Sequence, residues 1–198
     1  MNKIKLCLVL LAVLFISCYR PLFEKAEIKK GATVGFGVGV VSCEAVTNTS
    51  DLLFTRGDYC LAGTGSFFIR HGYSEKFALF GQITAGTGFW LTNDYILPNH
   101  APLIIDLQVG IKTKVKQHGA IRATIGFPSL VDLTYLYDYN AIITQNFSIG
   151  VPGVGMGLII HPKLSNKRIG HISIQCSRPW IRYGHKIRPA LFLGFGIE

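Results

Sequence analysis

From Gly31 onward, the sequence repeats segments of about ten residues in which bulky apolar residues alternate with small or polar ones. In the first segment the apolar positions are Ala32, Val34, Phe36, Val38 and Val40. Successive side chains of an extended chain point to opposite faces, so this pattern predicts a strand with one bulky apolar face and one small face. A sheet face in water normally carries many charges, which neither face has. We therefore expect the apolar face to contact lipid.

Composition supports a membrane environment and argues against nucleic acid. Apolar residues make up 49% of the 198 residues and charged residues only 16%, against about 25% charged in ordinary globular domains. The net charge is +9, but the basic residues are scattered and form no basic helix or aromatic RNA-binding motif. Anionic lipid headgroups, including lipopolysaccharide, are the partners that this charge favours. The candidate basic set, for which an ordinary solvated loop surface is the alternative, is Lys163, Lys167, Arg168, Arg178, Arg182, Lys186 and Arg188.

The N-terminus has the pattern of an export signal. Lys3 and Lys5 precede an uncharged run over residues 6–17, which is too short for a bilayer-spanning helix of about 20 residues. We predict three parts: a signal peptide at 1–18, a periplasmic lead at 19–30 and a barrel domain at 31–198.

The end of the signal run resembles the lipobox of bacterial lipoproteins. It reads Leu14-Phe15-Ile16-Ser17-Cys18, and in that family a small residue precedes a cysteine that is lipidated and becomes the mature N-terminus. The resemblance implies lipidation at Cys18. Ordinary signal cleavage nearby is the alternative.

The alternating segments predict eight to ten strands. The clearest hairpin has an apolar face running from Leu103 to Ile111 and a turn at 117–119. The tyrosines at 135, 137 and 139 fit either a further strand or an extracellular loop. Long connections at 43–58 and 91–101 alternate with short ones at 71–75 and 116–119, an asymmetry typical of outer-membrane barrels.

Over residues 31–198 the chain resembles the small outer-membrane β-barrels, such as the transmembrane domain of outer-membrane protein A. The last segment, with Leu191, Leu193, Phe195 and Ile197, resembles their C-terminal assembly signal. The resemblance implies an all-β, antiparallel, up-and-down transmembrane barrel in a bacterial outer membrane, inserted by the barrel assembly machinery. The alternative is a soluble, lipocalin-like periplasmic lipoprotein whose apolar face forms its core.

The small face carries few charges, which suits a narrow lumen. A sheet can enter hydrocarbon only if it closes and pairs all its backbone groups, so this face would be enclosed. We expect its acids and bases to pair across the lumen, which indicates a structural or narrow-pore role without enzymatic activity. The predicted lumen residues are Arg70, Asp106, Gln108, Lys112 and Arg122.

The sequence predicts no metal or cofactor site, since the six histidines lie far apart and lack the ligand spacing of a metal cluster. His171 and Ser173 share one strand face, as a base and a nucleophile would. They resemble the His-x-Ser strand of outer-membrane lipid A deacylases, which implies a hydrolase as the alternative function, with Glu198 as a candidate acid for His171. We favour two polar lumen residues.

Two cysteines flank the first long connection. Cys43 follows the first segment and Cys60 begins the second, and an oxidising envelope would permit a disulfide between them. Two unpaired buried cysteines are the alternative. Cys176 has no evident partner.

Overall fold

The computed structural model describes residues 22–44, 59–91, 96–97, 103–127, 130–151, 153–165, 168–179 and 190–198. These residues form an all-β structure in which no helix is long and apolar enough to cross a membrane. The strands are β1 (Gly31–Glu44), β2 (Tyr59–Gly72), β3 (Phe77–Leu91), β4 (Ile96–Leu97), β5 (Leu103–Lys116), β6 (Gly119–Phe127), β7 (Leu130–Asp138), β8 (Ile143–Gly150), β9 (Gly153–Ile160), β10 (Gly170–Pro179) and β11 (Ala190–Ile197).

Ten of these strands close into an antiparallel up-and-down barrel. Each pairs with its neighbour in sequence, β3 pairs directly with β5, and β11 returns to pair with β1. The two-residue β4 only extends the edge of β3. The predicted fold class is therefore confirmed, with ten strands; Tyr135 and Tyr137 of the tyrosine-rich stretch lie in strand β7, and Tyr139 follows it.

The alternation places bulky apolar side chains on the outside of the barrel. In β1, Phe36 and Val38 are 63% and 62% exposed, whereas Gly35 and Gly37 are buried. The other barrel strands repeat this pattern, as the exposure of Val109 in β5 and Leu193 in β11 illustrates. Exposed charged side chains among the described residues lie at strand ends, in turns or before β1. The middle of the outer wall is apolar.

The barrel has two distinguishable ends. At the end that we call the terminal end, β1 begins, β11 finishes, and the connections 73–76, 117–118, 139–142 and 161–169 join the strands. The opposite end carries the long connection predicted at 43–58, of which residues 45–58 lie outside the described residues. The short connections 128–129 and 151–152 also lie at this opposite end, so the long and short alternation applies only to the first half of the chain.

Candidate functional site: a segment bound inside the barrel

Residues 22–28, which we call the inner segment, lie inside the barrel. Phe23, Glu24 and Ile28 are buried among inward-facing side chains of the strands. Gly31 has φ +101°, a backbone conformation that side chains rarely adopt, and there the chain turns from the lumen into β1. We expected residues 19–30 to be a periplasmic lead before the domain. For residues 22–28 this needs correction, because they form part of the barrel interior; residues 19–21 lie outside those described.

Barrel side chains bind the main chain of the inner segment. Gln175 Nε2 donates a hydrogen bond to the carbonyl of Leu22 (3.2 Å), and Arg70 Nη2 donates one to the carbonyl of Phe23 (2.6 Å). Lys112 Nζ donates to the carbonyls of Lys25 and Glu27. The Asp138 carboxylate accepts hydrogen bonds from the N–H groups of Ala26 and Glu27 (2.9 Å each). These donors and acceptors come from four different strands. The wall therefore satisfies backbone polar groups along the segment from Leu22 to Glu27, and buried backbone needs such partners.

Glu24 meets a cluster of three positive charges, Arg70, Lys112 and Arg122, which we call the cationic cluster. Glu24 Oε2 lies 3.2 Å from Lys112 Nζ and 3.7 Å from Arg70 Nε, and Oε1 lies 3.2 Å from Arg122 Nε. Burial alone would raise the pKa of the Glu24 carboxyl, but attraction to the three cations outweighs it and lowers the pKa from 4.5 to about 2. Glu24 is thus an ionised carboxylate in an enclosed cationic environment.

Another part of the inner wall is a surface of small residues, which we call the glycine surface. It consists of Gly35, Gly37, Gly39, Gly194 and Gly196 on the paired strands β1 and β11. The Phe23 ring lies so close to this surface that a Cβ added at Gly37 would stand 2.3 Å from it. Phe23 also contacts the rings of Phe68 and Phe192, with centroids 6.3 and 5.9 Å away. The absence of side chains at these glycines makes room for the aromatic ring.

The five predicted lumen residues all lie on the inner wall. Asp106, Gln108, Lys112 and Arg122 are each no more than 3% exposed, and Arg70 is partly buried at the terminal end. Three of them form one hydrogen-bonded row. Asp106 accepts a hydrogen bond from Gln108, and Gln108 Oε1 accepts one from Arg122 at 3.0 Å.

Sequence reasoning missed Glu24, the carboxylate that the cationic cluster binds. One signal was present in the strands: the predicted lumen set contains three bases and only one acid, which leaves positive charge without a partner. Burying such a charge is costly unless it is paired. The imbalance could have pointed to a carboxylate outside the strands, but not to which one.

A second polar chain joins the inner segment to the C-terminus. Asp138, which binds the segment backbone, accepts a hydrogen bond from Thr144 Oγ1 (2.5 Å), and Thr144 Oγ1 is 2.7 Å from His161 Nε2. His161 Nδ1 is in turn 2.7 Å from His171 Nδ1, and His171 Nε2 lies 3.6 Å from Glu198 Oε2. The two histidines, ten residues apart in the sequence, are therefore in direct contact.

The positions of the hydrogen atoms in this row of side chains follow from the carboxylate of Asp138, which can only accept hydrogen bonds. The Thr144 hydroxyl donates its hydrogen to the Asp138 carboxylate, so His161 Nε2 must donate to the Thr144 oxygen. Because Nδ1 of a neutral His161 is then an acceptor, His171 Nδ1 must donate to it. Burial, His171 and nearby cations lower the pKa of His161 to about 3, which keeps it neutral as this arrangement needs. At the far end, burial opposes ionisation of Glu198, but His171 and Arg70 outweigh it and lower its pKa to about 2. A proton on His171 Nε2 would face that carboxylate.

The structure also shows what surrounds the candidate base and nucleophile. His171 and Ser173 are both completely buried on the inner face of β10. Ser173 Oγ accepts a hydrogen bond from Gln175 Nε2 at 2.8 Å, while the ring nitrogens of His171 face His161 and Glu198. Glu198 is therefore next to His171, as considered from the sequence. No described contact joins His171 to Ser173.

The remaining sequence candidates are only partly covered by the structure. Cys43 and Cys60 are directly opposite in the β1–β2 register, but their side chains, like all of Cys18, lie outside the described residues. Cys176 is a free cysteine. The candidate basic set does not form one surface: Lys163 and Arg168 are at the terminal end and Arg178 is at the opposite end, while its other members are outside the described residues.

Two small spaces lie beside the inner segment. One cavity of about 40 Å³ is lined by Leu22, Asp132 and Gln175, and another of about 30 Å³ is lined by Lys25, Lys29 and Thr33. Spaces of this size hold one or a few waters. Among the described residues, no group of three or more His, Cys, Asp or Glu is arranged to hold a metal ion.

Comparison with known proteins does not assign a family. No protein-family model matches the chain, and no curated protein sequence matches it significantly. Any functional conclusion must therefore come from the geometry above.

Proposed function

We propose that this chain is a bilayer-spanning outer-membrane β-barrel of a bacterium with two membranes, with a structural role and no enzymatic activity. One observation carries the proposal: bulky apolar side chains cover the middle of the outer wall of all ten barrel strands, while charged side chains are enclosed in the interior. The barrel is filled in the state described, because the inner segment occupies the lumen.

The distribution of side chains favours lipid over water around the barrel. A soluble lipocalin-like protein would gather its Leu, Ile and Phe residues inside, whereas here Phe36, Val109 and Ile125 are each at least 60% exposed. Exposed apolar surface of this extent is unusual on a soluble monomer. The strands, of 8 to 15 residues, bracket the roughly 9–11 residues that a tilted strand needs to cross a bilayer. Outer-membrane lipids are the corresponding partners.

The arrangement around His171 and Ser173 supports a structural role for these residues better than catalysis. A nucleophilic serine needs a base within hydrogen-bond reach and a substrate that can approach it. Ser173 is fully buried inside the barrel and bonded to Gln175, whereas lipid acyl chains would contact the outer wall. We therefore retain the non-enzymatic function.

A fractionation experiment tests the proposal directly. The full chain, produced in a bacterium with two membranes, is expected in the outer-membrane fraction, to need detergent for extraction, and to migrate differently on a gel with and without boiling. A folded protein that stays in buffer without detergent would contradict the proposal.

A substitution on the outer wall tests whether that wall contacts lipid or water. Val109 lies in the middle of β5 with its side chain 60% exposed. If the wall faces lipid, Val109→Arg should lower the free energy of unfolding by about 2–4 kcal/mol in lipid vesicles. If the wall faces water, the same change should be nearly neutral.

The matched control is Val115→Arg, near the end of the same strand. Val115 is also exposed, but it lies close to the turn at 117–118, where a charge would reach the headgroup region. Its expected cost is about 0–1 kcal/mol. Equal effects of the two substitutions would argue against a bilayer around the barrel.

A further inference from the structure

Lys112 is bound almost entirely by a part of the chain that does not belong to the barrel wall. Its Nζ group contacts the Glu24 carboxylate at 3.2 Å and the carbonyls of Lys25 and Glu27. All three acceptors are in the inner segment, and the lysine side chain is only 3% exposed. The wall therefore presents a buried cation whose partners come from outside it.

Arg122 completes the same site from the neighbouring strand. Its guanidinium is held by Gln108 at 3.0 Å and lies 4.0 Å from the centre of the Phe80 ring. These contacts fix the group with its Nε toward Glu24 Oε1, 3.2 Å away. Cation–π contact and an amide oxygen do not neutralise a guanidinium, so its negative counter-charge comes from the Glu24 carboxylate, with Asp106 also close enough to act on it. The cationic cluster has the composition of an anion-binding site, positioned by the wall and filled by Glu24.

The inner segment also separates two parts of the lumen. Barrels of about eight strands are just filled by their own side chains, and larger ones leave space. Here ten strands, lined on one side by the glycine surface, leave room for the inner segment. The two small cavities lie next to opposite ends of this peptide, one beside Leu22 and the other beside Lys29. Displacing the segment would join them into a passage that runs by the cationic cluster.

From these observations we infer that the cationic cluster is a binding site for small anions on a path through the barrel, and that the inner segment closes this path by presenting Glu24 as a tethered anion. The ligands are small monovalent anions, carboxylates included. This inference rests on the proposed function, because a path has meaning only in a barrel that spans a membrane.

Conductance of the full-length protein in planar bilayers tests the inference. We expect the protein with Glu24 to be closed and Glu24→Ala to open, with an increase in open fraction on the order of 100-fold as the ion pairs are lost. In a potassium chloride gradient, the reversal potential of the open state should shift toward the equilibrium potential of chloride. In a potassium acetate gradient, it should shift toward the equilibrium potential of acetate.

Glu27→Ala is the matched control, since Glu27 belongs to the same segment but its side chain is exposed. This variant should stay as closed as the unaltered protein. A Glu24→Ala barrel that is folded and inserted but equally closed would overturn the inference. So would an open state that prefers potassium.

A second variant covers the case in which Glu24→Ala does not fold. Glu24→Ala with Lys112→Met removes one carboxylate and one cation together, which restores the balance of buried charge. It should open, with a weaker preference for anions than the single variant. If this folded double variant is closed, the inference fails, whereas failure of the unaltered protein to enter bilayers would instead refute the proposed membrane function.

Discussion

The two sides of the barrel interior hold the inner segment by different physical means. Phe23 fits the glycine surface, where the absence of side chains at Gly37 and Gly196 leaves a space of defined shape. Glu24, the next residue, faces the cationic cluster, where charge decides the interaction. Phe23 and Glu24 are adjacent in the sequence but contact different parts of the wall, so the segment uses both. The comparison shows that a short peptide can be bound by shape on one face and by charge on the other.

The largest effect is expected on the charged side. Glu24→Gln keeps the size of the side chain but leaves three buried cations with one carboxylate fewer. Breaking a buried ion pair by removing one partner costs about 3–5 kcal/mol, so the free energy of unfolding should fall by that amount. Urea unfolding in detergent micelles or lipid vesicles measures it.

Glu27→Gln provides the reference for this measurement. Its side chain is exposed, and its backbone bonds to Asp138 and Lys112 would persist. It should change stability by less than about 0.5 kcal/mol. Similar losses in the two variants would mean that the cationic cluster does not distinguish the two glutamates, and the charged side would then have no special role.

Acid should weaken the charged side with a smaller effect. The pKa of Glu24 is lowered to about 2 in the folded protein from 4.5, so its stabilisation is complete above pH 4.5 and is lost as the pH falls toward 2. The loss is about 3 kcal/mol over this range, at 1.36 kcal/mol for each pKa unit. Urea unfolding between pH 5 and pH 2.5 should show this slope in the unaltered protein. In Glu24→Gln the part of the slope due to Glu24 should be missing, and an unchanged slope would contradict the assignment.

The sequence predicted the glycine surface better than the charged side. Alternation in β1 and β11 follows directly from the geometry of a strand, so Gly37 and Gly194 could be assigned to the enclosed face and Val38 and Leu193 to the outer one. Barrel closure followed from the need to pair backbone groups in lipid. The tyrosine-rich β7 stayed ambiguous because its alternating residues are amphipathic and suit a loop or a strand.

The position of the inner segment could not be predicted from the sequence. Residues 22–28 have no alternating pattern and contain charges, which are the properties of a solvated lead. Their partners are distant in sequence: Lys25 bonds to the carbonyl of Ala141 and Leu22 to Gln175. These contacts exist only after ten strands close around a space of a particular width, so no local pattern encodes them. The contact between His161 and His171 is more local, because Ile160 pairs with Ile172 and this register brings the two histidines together across neighbouring strands.

The smallest of the expected effects tests the glycine surface. Gly37→Ala adds one methyl group at a position where Cβ would lie 2.3 Å from the Phe23 ring. Because the ring is confined by Phe68 and Phe192, it can move only partly, and overpacking of this kind costs about 1–3 kcal/mol. Urea unfolding should show this loss at neutral pH with no added pH dependence, since no charge is altered.

Two further variants separate shape from a general effect of removing glycine. Gly65→Ala alters a glycine on the outer wall, where the nearest atom to an added Cβ is 4.0 Å away, and it should change stability by no more than about 0.5 kcal/mol. Phe23→Leu combined with Gly37→Ala should recover part of the stability lost in Gly37→Ala, because the smaller side chain makes room for the methyl group. If Gly37→Ala and Gly65→Ala cost the same, Phe23 is not held by shape, and the difference between the two sides of the interior disappears.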